Sequence, residues 1–285
     1  MKTIQERLDY INTTCNTNYK SMDEVNWEYH SMFTKLPENF IREFFDKVDW
    51  DCISEYQKLS EDFIYEFQDK VNWKRISKTQ KLSDDLIREF YYKVDWTYIS
   101  EYQHLSEDLI RQCKDYVNWI SISSHQELSE NFIREFQRRV DWSCISRCQK
   151  LSENFIVEFK NNVSWYSISK HQTLSESFIR KHQDELNWSS ILQNQDLSED
   201  FIREFKEKID KNNAWENLFI KQTLSDKFIE EYAHKVNWNK VSTSVILPLS
   251  NIIKYGKYLN WNNVYKNNKN FKEHIIDIWK AKFEN

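Results

Sequence analysis

The sequence has one glycine, Gly256, and two prolines, Pro37 and Pro248, in 285 residues. Phosphate-cradling loops, dinucleotide folds and nucleophile elbows need several glycines for close backbone approach, so those enzyme classes are set aside first. Sheets built from many tight hairpins are disfavoured for the same reason, because their turns want Gly or Asn-Gly. No apolar run approaches the roughly 18 residues of a membrane span. The stretch Met1–Leu8 lacks the continuous apolar segment of a secretory leader. The five cysteines, at 15, 52, 113, 144 and 148, are odd in number and have no disulfide-framework spacing, which suits a reducing compartment. A dominant charge is also missing: 40 Lys and Arg face 45 Asp and Glu, a net of −5. That balance gives no bulk attraction to nucleic acid or to an anionic membrane. The expectation is a soluble, cytoplasmic protein with no membrane association.

What the chain has is repetition. Hydrophobic residues make up 40% and aromatics 16%, ample for a packed interior. Tryptophans fall at 27, 50, 73, 96, 119, 142, 165 and 188, each 23 residues after the last, and resume at 215, 238 and 261. Leucines keep the same interval at 36, 59, 82, 105, 128, 151, 174 and 197, then 224 and 247. A representative unit runs Leu128-Ser129-Glu130-Asn131-Phe132-Ile133-Arg134-Glu135-Phe136, then Gln137-Arg138-Arg139-Val140-Asp141-Trp142-Ser143-Cys144-Ile145-Ser146-Arg147-Cys148-Gln149-Lys150.

Two helices are predicted in each unit. Ser129 suits an N-cap, and Phe132, Ile133, Phe136 and Val140 lie on one stripe of a helix of about three turns. The pairs Glu130–Arg134 and Glu135–Arg139 have favourable i,i+4 spacing on its outer face, as do Glu38–Arg42, Glu43–Lys47, Glu199–Arg203 and Glu204–Lys208. Asp141 caps a shorter second helix carrying Trp142, Ile145, Ser146 and Gln149. Pro37 and Pro248 stand where other units have the capping serine, at a helix start where a missing N–H is tolerated. Such a unit cannot bury its own stripe and must stack on copies of itself. The fold class expected is therefore all-α, an α-solenoid superhelix of about ten two-helix repeats, with the tryptophans as the spine of the core. Residues 1–24 read as an N-terminal cap with an Ile4, Leu8, Ile11 stripe, 25–265 as the array, and 266–285 as a C-terminal capping helix. The unit at 197–223 has 27 residues, and a longer inter-helix loop is expected at Ile209–Ala214.

Repeated polar groups are first of all packing groups. Gln57, Gln80, Gln103, Gln126, Gln149, Gln172, Gln195 and Gln222 form a column whose amides are expected to satisfy helix-end carbonyls or each other. His125, Cys148 and His171 share another column with Cys144 nearby. Stacked layers about 8–10 Å apart separate such residues too widely for zinc, so no metal is expected, only free thiols and half-buried histidines. No Ser/His/Asp or Cys/His constellation can be placed, so neither catalysis nor a cofactor is expected. Non-repeated residues on the second helix and its exit carry the individuality of each unit. The candidate recognition surface is Lys74, Arg75, Lys78, Lys81, Tyr98, Glu101, His104, Arg147, Tyr166 and Lys170.

The phrase Leu197-Ser198-Glu199-Asp200-Phe201-Ile202-Arg203-Glu204-Phe205, with Lys47-Val48-Asp49-Trp50 and Ile53-Ser54, resembles tandem repeats in uncharacterised proteins of giant DNA viruses and some phages. The resemblance covers roughly residues 25–265 and implies a viral origin and an α-solenoid, but brings no activity and no site residues. The function expected is a binding scaffold for a host or viral protein, in a viral setting a counter-defence factor in the host cytoplasm. A nucleic-acid or nucleotide-binding solenoid, using the basic unit around Lys74 with Tyr98 and Tyr166, is the alternative.

Overall fold

The computed structural model describes residues 3–244 and 249–267. Its helices are short and paired. In most repeats a six-residue Ser helix, such as Glu130–Glu135, leads into a seven-residue Trp helix, such as Trp142–Cys148. No strand occurs among the described residues. The serine hydroxyl caps the first helix, Ser129 Oγ accepting from Phe132 N at 3.2 Å. An Asp, Asn or Ser caps the second, as Asn72 does for Arg75 N at 3.2 Å.

The Ser helix is shorter than the three turns expected from the spacing. At Phe136 the backbone leaves the helical region (φ −106, ψ 25), and the N–H groups of Arg139 and Val140 both turn back to its carbonyl. The tryptophan ties down the turn that follows. Its indole N–H donates to the carbonyl five residues earlier, Trp119 to Lys114 at 3.0 Å and Trp73 to Gln68 at 2.8 Å. A continuing helix would give that carbonyl to an amide one turn on. Phe132, Ile133, Phe136 and Val140 remain buried, the last two carried by the turn.

The chain divides into two units, residues 1–141 and 142–285. In the first, the Trp helices Trp27–Phe33, Trp50–Tyr56, Trp73–Thr79, Trp96–Tyr102 and Trp119–His125 pack in sequence order, each on the next. In the second, Trp142–Cys148, Trp165–His171, Trp188–Asn194, Trp215–Lys221, Trp238–Thr243 and Trp261–Asn267 do the same. The fold is an all-helical repeat solenoid. The N-terminal helix Ile4–Cys15 opens with a capping box between Thr3 and Glu6 and buries Leu8 and Ile11, whereas Ile4 of the expected stripe is exposed. Pro248 and the expected C-terminal helix beyond 267 lie outside the described residues.

Phenylalanine and isoleucine make the centre of each layer: Phe40, Ile41, Ile53, Phe63, Ile64 and Ile76 are fully buried. The indoles differ from expectation. Trp188 and Trp215 alone among the described tryptophans are buried; the others are half-buried at the layer edge. From Trp27 to Trp238 they lie over rings of the following repeat, Trp50 at 5.1 Å from Phe67 and Trp119 at 5.0 Å from Phe136. They splint adjacent layers rather than form the spine.

The glutamines are the polar core. Gln103 Nε2 donates to Ser77 O (3.0 Å) and Gln80 O (2.7 Å) of the preceding repeat, and its Oε1 accepts from Leu82 N (3.0 Å). Gln80, Gln126, Gln172 and Gln195 repeat the same three bonds. Each amide thus satisfies three buried backbone groups at the end of the neighbouring helix. Serine does a parallel task. Ser77 Oγ donates to Trp73 O and accepts from Asp95 N of the next repeat, at 2.7 and 2.9 Å.

On the outer face, Glu130–Arg134, Glu38–Arg42 and Glu199–Arg203 pair within a helix at 3.4–3.5 Å. The second expected set does not: Arg139 and Lys47 lie past the end of their helix, and Lys208 turns to Asp184 of the preceding repeat. Instead Arg111 reaches Glu135 at 2.8 Å and Arg139 reaches Asp115 at 2.8 Å, linking repeats. First-turn glutamates also reach forward, Glu107 accepting from Ser129 N at 2.7 Å. Burial alone would raise Glu199, but hydrogen bonds from Ser225 and the Arg203 guanidinium hold it below the usual carboxylate range. Pro37 fits this scheme. It has no N–H to donate, and one repeat earlier its acceptor position holds Cys15 rather than a glutamate.

The 27-residue unit is also unlike its expectation. Its extra residues form a second helix, Lys206–Lys211, instead of a loop, burying Ile209, and Asn213 (φ 48) reverses the chain behind it. Trp215 then finds Asp210 Oδ1 at 2.7 Å in place of a backbone carbonyl.

Two stability measurements follow. Gln103→Leu strips three buried backbone groups of partners and is expected to cost about 3–5 kcal/mol in urea unfolding, far more than exposed Glu127→Gln. Phe132→Ala, at a fully buried ring, is expected to cost about 3–5 kcal/mol, and Trp119→Ala clearly less despite the larger side chain. Equal losses for the two aromatic variants would contradict the half-buried role of the indole.

Candidate recognition surface

Once the repeated polar groups are bonded to neighbouring repeats, the outer positions of the Trp helices and their exits remain as variable chemistry. In the first unit these positions carry Lys74, Arg75, Lys78, Lys81, Tyr98, Glu101 and His104. The structure draws part of this set together. Lys74 Nζ and Lys78 Nζ both lie over the Tyr98 ring, 5.8 and 5.7 Å from its centroid, across one repeat step. Tyr98 also meets the Tyr102 ring at 5.9 Å. Tyr102 is exposed, and the hydrogen bond and charge of Glu101 raise its phenol above the ordinary range.

Arg75 leaves the set. Its guanidinium is paired with Glu55 and lies 3.9 Å from Asp51, so the basic unit is partly neutralised by the repeat before it. Lys81 lines a groove of about 400 Å³ together with Tyr56, Lys58, Thr79 and Leu59, and with Glu55, whose carboxylate is paired with Arg75. His104 stands exposed at the corresponding place one repeat on.

Arg147, Tyr166 and Lys170 belong to the second unit. Arg147 donates through Nε to Cys148 Sγ at 3.4 Å and approaches Cys144 Sγ at 3.8 Å. Cys148 is exposed and Cys144 buried. His171, in the next repeat, is held below the ordinary histidine value by burial, and by the Lys170 and Arg147 charges. His125 and His171 are exposed, not half-buried as expected from their column. All five cysteines are free, and no three His, Cys, Asp or Glu side chains converge as metal ligands among the described residues. Tyr166 is exposed on the outer side of its helix.

Sequence reasoning missed the aromatic column at the last position of the Trp helices. Phe33, Tyr56 and Tyr102 occupy it in the first unit, all exposed. It also passed over Lys35 and Lys58, which precede Lys81 at the same 23-residue interval. The signal was present in the spacing. Within any single repeat these positions look merely variable, and the pattern exists only down the column.

One buried polar side chain is unusual. His182 replaces the second phenylalanine of its repeat, lies 5.4 Å from Trp165, and leaves Nε2 without a hydrogen bond. No helix among the described residues is long and apolar enough to cross a membrane.

Thiol mapping checks the placement of Arg147. Cys148 is expected to be alkylated by iodoacetamide before Cys15 and Cys52, whose thiols burial pushes up to about 11, and before buried Cys113 and Cys144. Uniform labelling of all five in the native protein would contradict it. The chain matches no family model, no curated protein and no solved structure.

Proposed function

We propose that this protein is a non-enzymatic scaffold that binds a protein partner along the outer faces of its Trp helices. The observation that supports this most is the division of labour between positions. Glutamine, serine and the Ser-helix glutamates are engaged by neighbouring repeats, while exposed Phe33, Tyr56, Tyr102 and Tyr166 stand beside mixed charges that differ from repeat to repeat. Aromatic residues at an exposed, polar-rimmed face are the usual anchors of protein interfaces. The resemblance of the repeat to those of giant DNA viruses and phages supplies the direction: a host protein in the cytoplasm, engaged as a counter-defence measure.

A second reading has one observation in its favour, the two lysines over Tyr98, a combination suited to a nucleotide or a single strand. The separation is by salt and by surface. Affinity capture from the natural host, with Tyr56→Ser/Tyr102→Ser as control, is expected to retain a stoichiometric protein on the unchanged chain and lose it on the variant. Both substitutions are at exposed sites and should leave folding stability within about 0.5 kcal/mol each. Retention of the same partner by the variant would contradict the proposed face. A salt-sensitive shift with single-stranded RNA or DNA, and no protein retained, would favour the second reading.

A further inference from the structure

We infer that the first unit carries a docking track for an extended, acidic peptide, formed by the exits of its first four Trp helices; this names the partner chemistry of the scaffold surface above and rests on that reading. Two columns run side by side there. Phe33, Tyr56, Thr79 and Tyr102 form one, and Lys35, Lys58, Lys81 and His104, two residues later, form the other. Phe33 is 69% exposed and Tyr56 and Tyr102 are each 51% exposed, far more than a ring shared between layers. In the next repeat Glu127 takes the basic position, and the cationic column stops.

Charge complementarity identifies the occupant. On the Ser-helix side, cations of this unit meet carboxylates of adjacent repeats, as Arg42 meets Glu66 and Lys93 meets Asp69. Lys35, Lys58, Lys74, Lys78 and Lys81 are exposed and make no ion pair among the described residues. On the Trp helices Asp51 and Glu55 are engaged by Arg75, and Glu101 by the Tyr102 phenol. Two of these ammonium groups are held over one ring, Tyr98, without a carboxylate between them. An incoming carboxylate relieves that arrangement.

Spacing favours an extended segment. Stacked helix layers are about 8–10 Å apart. A polyproline II strand advances about 9.3 Å in three residues, so an acidic side chain at every third position meets one lysine per repeat. The groove of about 400 Å³ between Tyr56 and Lys58 on one wall and Thr79 and Lys81 on the other receives the intervening apolar side chain. Nucleic acid fits less well. Successive bases stack about 3.4 Å apart, whereas the open rings here are at least one repeat apart, and the Tyr98 ring is already covered by lysines.

The test is fluorescence anisotropy on the full chain with labelled synthetic peptides. The probes are four tandem Asp-Pro-Leu triplets, the Lys-Pro-Leu counterpart, an acidic helical peptide of matched charge, and a thymidine 12-mer. The acidic extended peptide is expected to bind best. Lys58→Glu/Lys81→Glu is expected to weaken it by at least about tenfold, while Lys114→Glu, exposed in a different column, leaves it unchanged. Equal binding of the basic or helical peptide, tighter binding of the oligonucleotide, no binding of the acidic peptide, or indifference to Lys58→Glu/Lys81→Glu would each overturn the inference. The scaffold reading fails separately. If the acidic peptide does not bind but Tyr56→Ser/Tyr102→Ser still abolishes capture of a host protein, the surface stands and only its ligand chemistry is wrong.

Discussion

The structure depends on one bond pattern, the side-chain amide of a glutamine bridging two repeats. Helices of six or seven residues leave most of their backbone groups at an end, and stacked ends are shielded from water. Gln80, Gln103, Gln126, Gln172 and Gln195 each give two N–H donors to carbonyls of the preceding repeat and accept the amide of the leucine that opens their own. No other uncharged side chain offers two donors and an acceptor with that reach. The chain can therefore use helices too short to be stable alone, because their termini are completed by the next repeat.

Other regularities follow from this geometry. Short helices permit a 23-residue unit, in which tryptophan holds the turn after one helix through its carbonyl and covers the phenylalanines of the next layer. Serine, bonded backward within its helix and forward to the next cap, keeps the layers in register. Arg42, Arg111, Arg180 and Arg203 lie over Phe63, Phe132, Phe201 and Phe228 of the following repeat and reach a carboxylate there. With this much polar chemistry committed to stacking, the specific information resides in a minority of positions on the Trp helices and their exits. That is the ground on which the proposed scaffold function rests.

Much of the fold was legible in the residues. The interval of the tryptophans and leucines gives the repeat, Ser129 and Asn72 mark helix starts, and the glutamine column announces its amide role. Three features were not legible. The Ser helix gives way to a turn whose carbonyl an indole N–H takes, a contact that apolar periodicity does not encode. Half-burial of the tryptophans depends on which edge of the layer they occupy, and periodicity gives a face without its depth. The four inserted residues read as a loop, yet Ile209 stands one turn after Phe205 and carries the helix on, its amide bonding to the Phe205 carbonyl at 3.1 Å. Of the candidate surface, Lys74, Lys78 and Tyr98 do meet, while Arg75 is bound to acids whose proximity only stacking reveals.

Native-state hydrogen exchange tests the central claim most directly. The amides of Leu59, Leu82, Leu105, Leu151 and Leu174, each donating to the glutamine that closes its own repeat, lie outside the helices in segments that would ordinarily exchange fast. If the glutamines complete the stack, these amides exchange as slowly as the slowest helix-interior amides and open only with whole repeats. Exchange at the rate of exposed turn amides would contradict the account.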